Sequence, residues 1–166
     1  MSKQKVPQQL QIQLITSENF LPYGQVIFPT DNDKPFDNRD AQLILEPGRP
    51  RFYIMNLHHK GMKFNQINCH LQCTQCLGSL EGKEWLIAVC PPNDIPDLKK
   101  IAAFQILGNC FIKLNAGTWH AGPHFEHESA SFYNLELSDT NIIDNLTYSF
   151  LDNQNLEFEF ATKNNF

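Results

Sequence analysis

Short runs of apolar, β-branched and aromatic residues recur along this 166-residue chain, and turn-forming residues end each of them. The clearest runs span residues 42–46, 52–57, 85–90, 110–114 and 131–137. Glycine, proline, asparagine and aspartate fill the breaks between them. Runs of this length and composition suit pleated strands rather than helices. The sequence therefore predicts an all-β protein.

Helical signals are few. Thr16 is predicted to cap a short turn through Phe20, and residues 96–104 carry apolar side chains at helical spacing behind a Pro-Asp start. Ten or more short strands with one or two short helices predict an antiparallel barrel or sandwich. Small closed barrels often hold one ligand at the mouth.

Length and charge exclude several classes of protein. A chain of 166 residues fits one domain, residues 1–166. The net charge is −5 and there is no run of Lys and Arg, which argues against a nucleic-acid partner. No window approaches the roughly 18 apolar residues of a membrane span, and no apolar segment follows the basic residues near Met1 as in a secretory signal. We expect a cytoplasmic protein with no membrane partner, whose five cysteines are buried free thiols.

Three of the six histidines lie within eight residues of one another. They are His120, His124 and His127, and Trp119 precedes the first of them. Histidine is the side chain most easily tuned for proton transfer or metal binding near neutral pH. This segment alone fits a functional site and a solvated loop equally well, so a second motif must decide.

The second motif begins at residues 68–70, Asn-Cys-His. Strand alternation places residues 68 and 70 on one face. Gln75 and Gly82 follow His70. The spacing resembles the first motif of the cupin superfamily, in which His-x-His is followed by Glu and then Gly.

The segment that holds His120 resembles the second cupin motif, Pro-x-Gly followed by two residues and His. Here Asn115 replaces the proline. A full cupin site offers a divalent metal ion three imidazoles and a carboxylate. This chain offers two imidazoles, His70 and His120, and two neutral amides, Asn68 and Gln75. The resemblance therefore implies weak metal binding at His70 and His120, or chemistry without a metal.

A closer resemblance covers roughly residues 12–138. The matching features are the segment 14–27 with its Phe-x-x-Tyr-Gly pattern, His70 with Thr74-Gln75, the Pro96-Asp97-Leu98 entry with Ala103-Phe104, and Trp119-His120. They resemble the ureidoglycolate lyase family, formerly ureidoglycolate hydrolase, a branch of the cupins. The segments 119–124 and 134–137 resemble a divergent branch of photosynthetic organisms.

This family resemblance implies a cupin-like jelly-roll barrel and a homodimer. It also implies a carbon–nitrogen lyase of purine (allantoin) catabolism, which releases urea and glyoxylate from ureidoglycolate, a small carboxylate. That reaction removes a hydroxyl proton and protonates the leaving nitrogen. His120 or His70 is expected to act as the base, and the other as the acid or a metal ligand. Gln75 is expected to hydrogen-bond the substrate hydroxyl or the developing carbonyl. Arg51 is a candidate clamp for the carboxylate, because a guanidinium can bind it through two hydrogen bonds.

Trp119 and His124 are further candidates for substrate contact, although Trp119 suits an apolar core equally well. The other three histidines, His58, His59 and His127, are expected at the surface. Two alternative functions stay open. One is another cupin enzyme, with or without a metal, acting on a different small keto or hydroxy acid. The other is a barrel that binds a small molecule without catalysis.

Overall fold

The computed structural model describes residues 6–162, where strands dominate and helices are short. The strands in chain order are β1 (Gln8–Leu14), β2 (Gly24–Ile27), β3 (Pro50–His58), β4 (Lys63–Phe64), β5 (Gln66–Cys69), β6 (Gln75–Ser79), β7 (Trp85–Cys90), β8 (Ala102–Ile106), β9 (Phe111–Leu114), β10 (Trp119–His124), β11 (Ser129–Leu137), β12 (Leu146–Ser149) and β13 (Phe158–Ala161). The helices are α1 (Thr140–Ile143) and α2 (Phe150–Gln154), and one 3-10 turn covers Leu98–Lys100. The all-β prediction is confirmed.

Two curled sheets face each other and enclose the main core. The larger sheet has eight strands in the order β12-β5-β10-β7-β8-β1-β13-β4, and the smaller has five in the order β2-β9-β6-β11-β3. This arrangement is the predicted cupin-like barrel. One departure from a purely antiparallel barrel is β1, which pairs in parallel with both β8 and β13.

The larger sheet is buried on both of its faces. On β7, Ile87 and Val89 join the core between the sheets, whereas Ala88 and Cys90 join a second apolar cluster on the opposite face. Phe150 of α2 packs into this second cluster, which we call the outer cluster. A residue of the larger sheet can therefore be buried without facing the space between the two sheets.

Most of the predicted strands are confirmed. Residues 85–90 form β7, residues 52–57 and 131–137 lie within β3 and β11, and the run at 110–114 forms β9 from its second residue onward. The predicted cysteine state is also confirmed, since all five thiols are free and buried.

The predicted turn after Thr16 is confirmed by a reciprocal cap. The Asn19 N–H donates to Thr16 Oγ1 at 3.1 Å, and the Thr16 N–H donates to Asn19 Oδ1 at 2.8 Å. No helix within residues 6–162 is long and apolar enough to cross a membrane.

The helix predicted over residues 96–104 is wrong beyond its first turn. Asp97 caps the 3-10 turn by accepting from the Lys99 N–H at 3.0 Å, and β8 follows that turn. On β8, Ala103 packs into the outer cluster and Phe104 into the main core. A strand buried on both faces has no polar alternation, so its apolar residues imitate helical spacing.

Residues 42–46 do not form the predicted strand. Their backbone bonds to side chains instead of to a neighbouring strand. The Gln42 N–H donates to Gln25 Oε1 at 2.8 Å, and the Ile44 N–H donates to Thr74 Oγ1 at 2.9 Å. One backbone bond returns, from the Thr74 N–H to the Ile44 carbonyl at 3.0 Å. The segment belongs to neither sheet, and a turn begins at Glu46.

Candidate active site

The turn before β10 directs His120 into the space between the sheets. Gly117 has a φ of +83°, in the left-handed region that favours glycine, and its N–H donates to the His70 carbonyl at 2.6 Å. Trp119 and Ala121, on either side of His120, both belong to the outer cluster. Because side chains alternate along a strand, His120 points to the opposite face. The glycine turn thus joins the two motifs that carry the histidines.

His70 and His120 lie side by side, with ring centroids 5.2 Å apart. His70 Nδ1 bonds to the Asp144 carbonyl at 2.7 Å, and His120 Nδ1 bonds to the Thr118 carbonyl at 3.3 Å. A carbonyl oxygen only accepts, so each Nδ1 carries the hydrogen and donates it. In the neutral rings, both Nε2 atoms are therefore left with a free lone pair.

Burial keeps His120 uncharged. Its side chain is 8% exposed. Burial, reinforced by the neighbouring His70, lowers the pKa of His120 to about 3. The ring is therefore neutral near pH 7 and can accept a proton or a hydrogen bond. An anionic ligand beside it would favour the protonated form and raise this pKa.

Gln75 completes the site from the first position of β6. Its Nε2 donates to Asn134 Oδ1 at 3.0 Å and to Glu136 Oε2 at 3.3 Å. Its Oε1 is buried and has no hydrogen-bond partner. The side chain borders the same small cavity as the two imidazoles, which is lined by His70, Cys73, Gln75, Leu114, Asn115, Thr118 and His120. The predicted trio of His70, Gln75 and His120 is therefore brought together.

The cavity is narrow, since its interior does not admit a water molecule. Residues 140–144, which comprise α1 and Asp144, lie against its lining and are called the cover segment here. Thr140 Oγ1 is 3.5 Å from Cys73 Sγ. The Asp144 carboxylate accepts from the backbone N–H groups of Leu71 and Gln72, both at 2.8 Å. Since the Asp144 carbonyl also holds His70, the cover segment fixes the orientation of that imidazole.

Trp119 and His124 are buried, but the structure places both outside this cavity. The Trp119 indole N–H donates to the Asn93 carbonyl at 3.0 Å, and the ring packs in the outer cluster. His124 is separated from His120 by a bulge, where the pairing register with β7 shifts between Ala121 and His124. Residues four apart share a face in a regular strand, and one extra residue reverses that relation.

His124 consequently lies in an apolar setting of its own. Its Nδ1 bonds to the Gly61 carbonyl at 2.8 Å, and its ring lies 5.0 Å from that of Phe160. Burial lowers the pKa of His124 to about 4. The remaining histidines, His58, His59 and His127, are exposed as predicted.

Arg51 does not line the cavity. It is exposed on edge strand β3, and its guanidinium carbon lies 3.6 Å from the centre of the Tyr53 ring. The Tyr53 hydroxyl in turn hydrogen-bonds Asn134 and Glu136, which hold Gln75. Arg51 is thus linked to the site only through this hydrogen-bond network.

Asn134 and Glu136 are the site residues that the sequence analysis did not single out by role. Glu136 is 1% exposed, and both of its carboxylate oxygens accept hydrogen bonds. A signal for them exists in the alternation of residues 132–136, because Phe132 packs in the main core and residues 134 and 136 share its face. In a sequence, however, a carboxylate two residues from a second polar side chain usually indicates the solvent-exposed face of a strand.

The donor atoms at the cavity would suit a weakly held divalent ion. His70 and His120 would offer Nε2, and Gln75 would offer Oε1. Hydrogen bonds from both Nδ1 atoms to backbone carbonyls are typical outer contacts of metal-bound histidines. Residues 6–162 contain no cluster of three or more His, Cys, Asp or Glu side chains suited to a metal. Such an ion would lack an anionic protein ligand, which lowers its affinity.

Comparison with known families gives one match that covers most of the chain. The family model described as ureidoglycolate lyase matches residues 7–155, which include His70, Gln75 and His120. No curated protein matches the chain. The family match spans most of the sequence, and it coincides with an all-β barrel that joins both histidine motifs. The chain therefore belongs to the ureidoglycolate lyase family.

Proposed function

We propose that this protein releases urea and glyoxylate from ureidoglycolate by histidine-assisted elimination. The observation that carries the proposal is the pair of imidazoles 5.2 Å apart in one cavity with Gln75. The ureidoglycolate lyase match supports the reaction class. Side-chain geometry supports the assignment of roles to individual residues.

The elimination needs one proton to move from oxygen to nitrogen. A neutral Nε2, on His120 or on His70, takes the proton of the carbinol hydroxyl. The oxygen lone pair then forms the carbonyl of glyoxylate, and the carbon–nitrogen bond breaks. The imidazolium that has formed returns its proton to the departing urea nitrogen. One imidazole is thus base and then acid, and the enzyme ends in its starting state.

Because His120 is buried, its ability to accept a proton depends on the charge of the substrate. His120 has a depressed pKa, so it is a weak base before a substrate binds. The substrate carboxylate brings a negative charge that favours the imidazolium and raises this pKa. Arg51 remains our candidate for holding the carboxylate at the outer side of the site. Proton transfer is thereby linked to binding of an anionic substrate.

Replacement of His120 by Ala tests the proposal. We expect His120→Ala to lower turnover by about 10²–10⁴-fold, as is typical for loss of a general base. The matched control is His124→Ala, which removes another buried histidine on the same strand but outside the cavity. Glyoxylate and urea are both measured, beside a protein-free sample, because ureidoglycolate also decomposes on its own. Circular dichroism verifies that each variant is folded.

Two outcomes would contradict the proposal. One is a wild-type protein no faster than spontaneous decomposition, and the other is a folded His120→Ala variant with wild-type turnover.

A divalent ion at His70 and His120 is the alternative that the Nδ1 contacts favour. Bound there, it would supply a Lewis acid beside the substrate hydroxyl or carboxylate. Elemental analysis of the same wild-type and His120→Ala preparations distinguishes the two. One ion per chain that is lost in the variant would favour metal-assisted chemistry, on ureidoglycolate or on another small hydroxy or keto acid. Binding of such acids without any turnover would instead identify a non-catalytic barrel.

A further inference from the structure

Gln75 Oε1 is a buried acceptor that no group in residues 6–162 satisfies. A buried amide oxygen without a hydrogen bond is costly, and a native structure seldom tolerates one without a reason. Gln75 is 7% exposed and borders the cavity of the two imidazoles. The unpaired oxygen is therefore available to a ligand in that cavity.

A chain of hydrogen bonds that starts at Glu136 fixes which end of the Gln75 amide is free. Both oxygens of the Glu136 side chain accept, so every neighbour must present a hydrogen. Gln75 does so through Nε2 at 3.3 Å, Asn141 through Nδ2 at 3.2 Å, and Tyr53 through its hydroxyl at 3.3 Å. The carboxylate therefore determines which group donates and which accepts in each hydrogen bond of the network.

A second series of hydrogen bonds, through Tyr53 and Asn134, orients the Gln75 amide in the same way. Because the Tyr53 hydroxyl donates to Glu136, its oxygen is left to accept from Asn134 Nδ2, at 3.1 Å. Asn134 Oδ1 then faces Gln75 and accepts from its Nε2 at 3.0 Å. A reversed Gln75 amide would bring its oxygen against two other acceptors. Both routes leave Oε1 without a partner, on a side chain that lines the cavity.

We propose that Glu136 is a positioning residue that fixes the Gln75 amide with its oxygen free to accept, and that Gln75 Oε1 binds the ureido N–H next to the reacting carbon. The inference rests on the proposed function and names the part of the substrate that Gln75 recognises. In the proposed mechanism one Nε2 takes the hydroxyl proton, and Oε1 is then the acceptor for the adjacent N–H. A hydrogen bond from Gln75 to the developing carbonyl, one of the two roles expected from the sequence, would need a donor that the fixed amide does not offer.

This arrangement also suits the departing nitrogen. When Oε1 accepts the ureido N–H, it increases electron density on that nitrogen, which then accepts a proton more readily. An analogue with oxygen in place of the N–H would set two acceptors against each other. The site should therefore select ureido compounds over the corresponding carbamate esters.

Two inert ligands that differ only at this position test the proposal. Ureidoacetate lacks the hydroxyl and cannot eliminate urea, and O-carbamoylglycolate has an ester oxygen in place of its internal N–H. Dissociation constants are measured by calorimetry. We expect the wild-type protein to bind ureidoacetate about tenfold or more tightly than the ester. In Glu136→Gln the new amide can donate to Gln75, which lets the Gln75 amide reverse, and the preference should fall about tenfold.

Two further variants provide an independent test and a control. Tyr53→Phe removes the hydroxyl that directs Asn134, and it should weaken the preference in the same sense if Glu136→Gln does not fold. Glu159→Gln is the matched control, since Glu159 accepts from the Gln9 amide at 2.7 Å on an exposed surface. It should keep the wild-type preference.

The outcomes separate the two proposals. Equal binding of both ligands by the wild-type protein, or an unchanged preference in the folded Glu136 and Tyr53 variants, overturns the role of Glu136 even if ureidoglycolate is turned over. Failure to bind either ligand, together with no turnover, overturns the proposed function and the ligand preference with it.

Discussion

At the scale of single residues, two buried histidines account for an expected sensitivity to acid. The pKa of His120 is lowered to about 3, and that of His124 to about 4, in both cases mainly by burial. In the unfolded chain a histidine titrates near pH 6.5. Between these values the unfolded state binds more protons than the folded state, so stability falls as the pH falls.

We predict that the free energy of unfolding decreases from about pH 6.5 toward pH 4.5, by up to about 1.4 kcal/mol per pH unit for each of the two histidines. Urea unfolding at a series of pH values measures this slope. His124→Asn keeps a donor for the Gly61 carbonyl but does not titrate. It should lower the number of protons taken up on unfolding by about one, and the slope falls in proportion. The exposed His127→Asn is the control. A slope unchanged by both His120→Asn and His124→Asn would show that these two histidines do not cause the pH dependence of stability.

The predictability of the site also differs from residue to residue. Motif spacing predicted His70, Gln75 and His120, and the structure places all three around one cavity. Glu136 was not predicted as a site residue, because the alternation of side chains along a strand does not show which face of the strand is buried. The packing of Phe132 in the main core shows that its face is the inner one.

At the scale of elements, strands buried on one face were more predictable than the segments that break the rule. The strand β11 alternates plainly, and its predicted run is confirmed. The strand β8 does not alternate, because it packs on both faces. The bulge in β10 falls at Gly122-Pro123, a pair that strand periodicity alone does not interpret, and it moved His124 away from the site. These departures arise from tertiary packing, which local periodicity does not encode.

The cover segment gives a prediction at this scale. The cavity is too narrow to admit a water molecule, so a substrate can enter only if its lining moves, and residues 140–144 are held there by a few polar contacts. Thr140→Cys would place a second thiol beside Cys73, whose sulfur is 3.5 Å from Thr140 Oγ1. We expect the oxidised variant to form a disulfide, to lose turnover, and to recover it on reduction. Mass spectrometry verifies the disulfide.

Thr140→Ser and the oxidised wild-type protein are the controls, and both should stay active. Full turnover by the cross-linked form would show that substrate enters by another route.

At the scale of the whole molecule, the smaller sheet presents an apolar outer surface beside a free edge. Phe52 is 71% exposed and Ile54 is 63% exposed, both on β3. This strand ends the five-stranded sheet, and no strand in residues 6–162 pairs with its outer edge. Long, uncovered edges of this kind tend to pair with another chain. Pairing of β3 with its own copy about a two-fold axis would give the homodimer that the family resemblance implies.

We predict that light scattering after size-exclusion chromatography gives the mass of a dimer. The double variant Phe52→Lys and Ile54→Lys should be monomeric, because charged side chains on this face oppose its burial. Leu21→Lys, on another exposed apolar residue, is the control. A monomeric wild-type protein would rule the dimer out, and a dimeric double variant would place the interface elsewhere.

The parallel pairing of β1 has a consequence for how the protein is made. Gln8 pairs with Phe158, so the first strand of the larger sheet receives one of its two neighbours only when nearly all of this sequence has been synthesised. Contacts between such distant parts of a chain form slowly. Until β13 arrives, Phe64 and Phe150 lack the phenyl rings that pack on them in the finished barrel. The larger sheet therefore cannot be completed before β13 has been synthesised and released from the ribosome, and chaperones that bind exposed aromatic residues have time to act on the nascent chain.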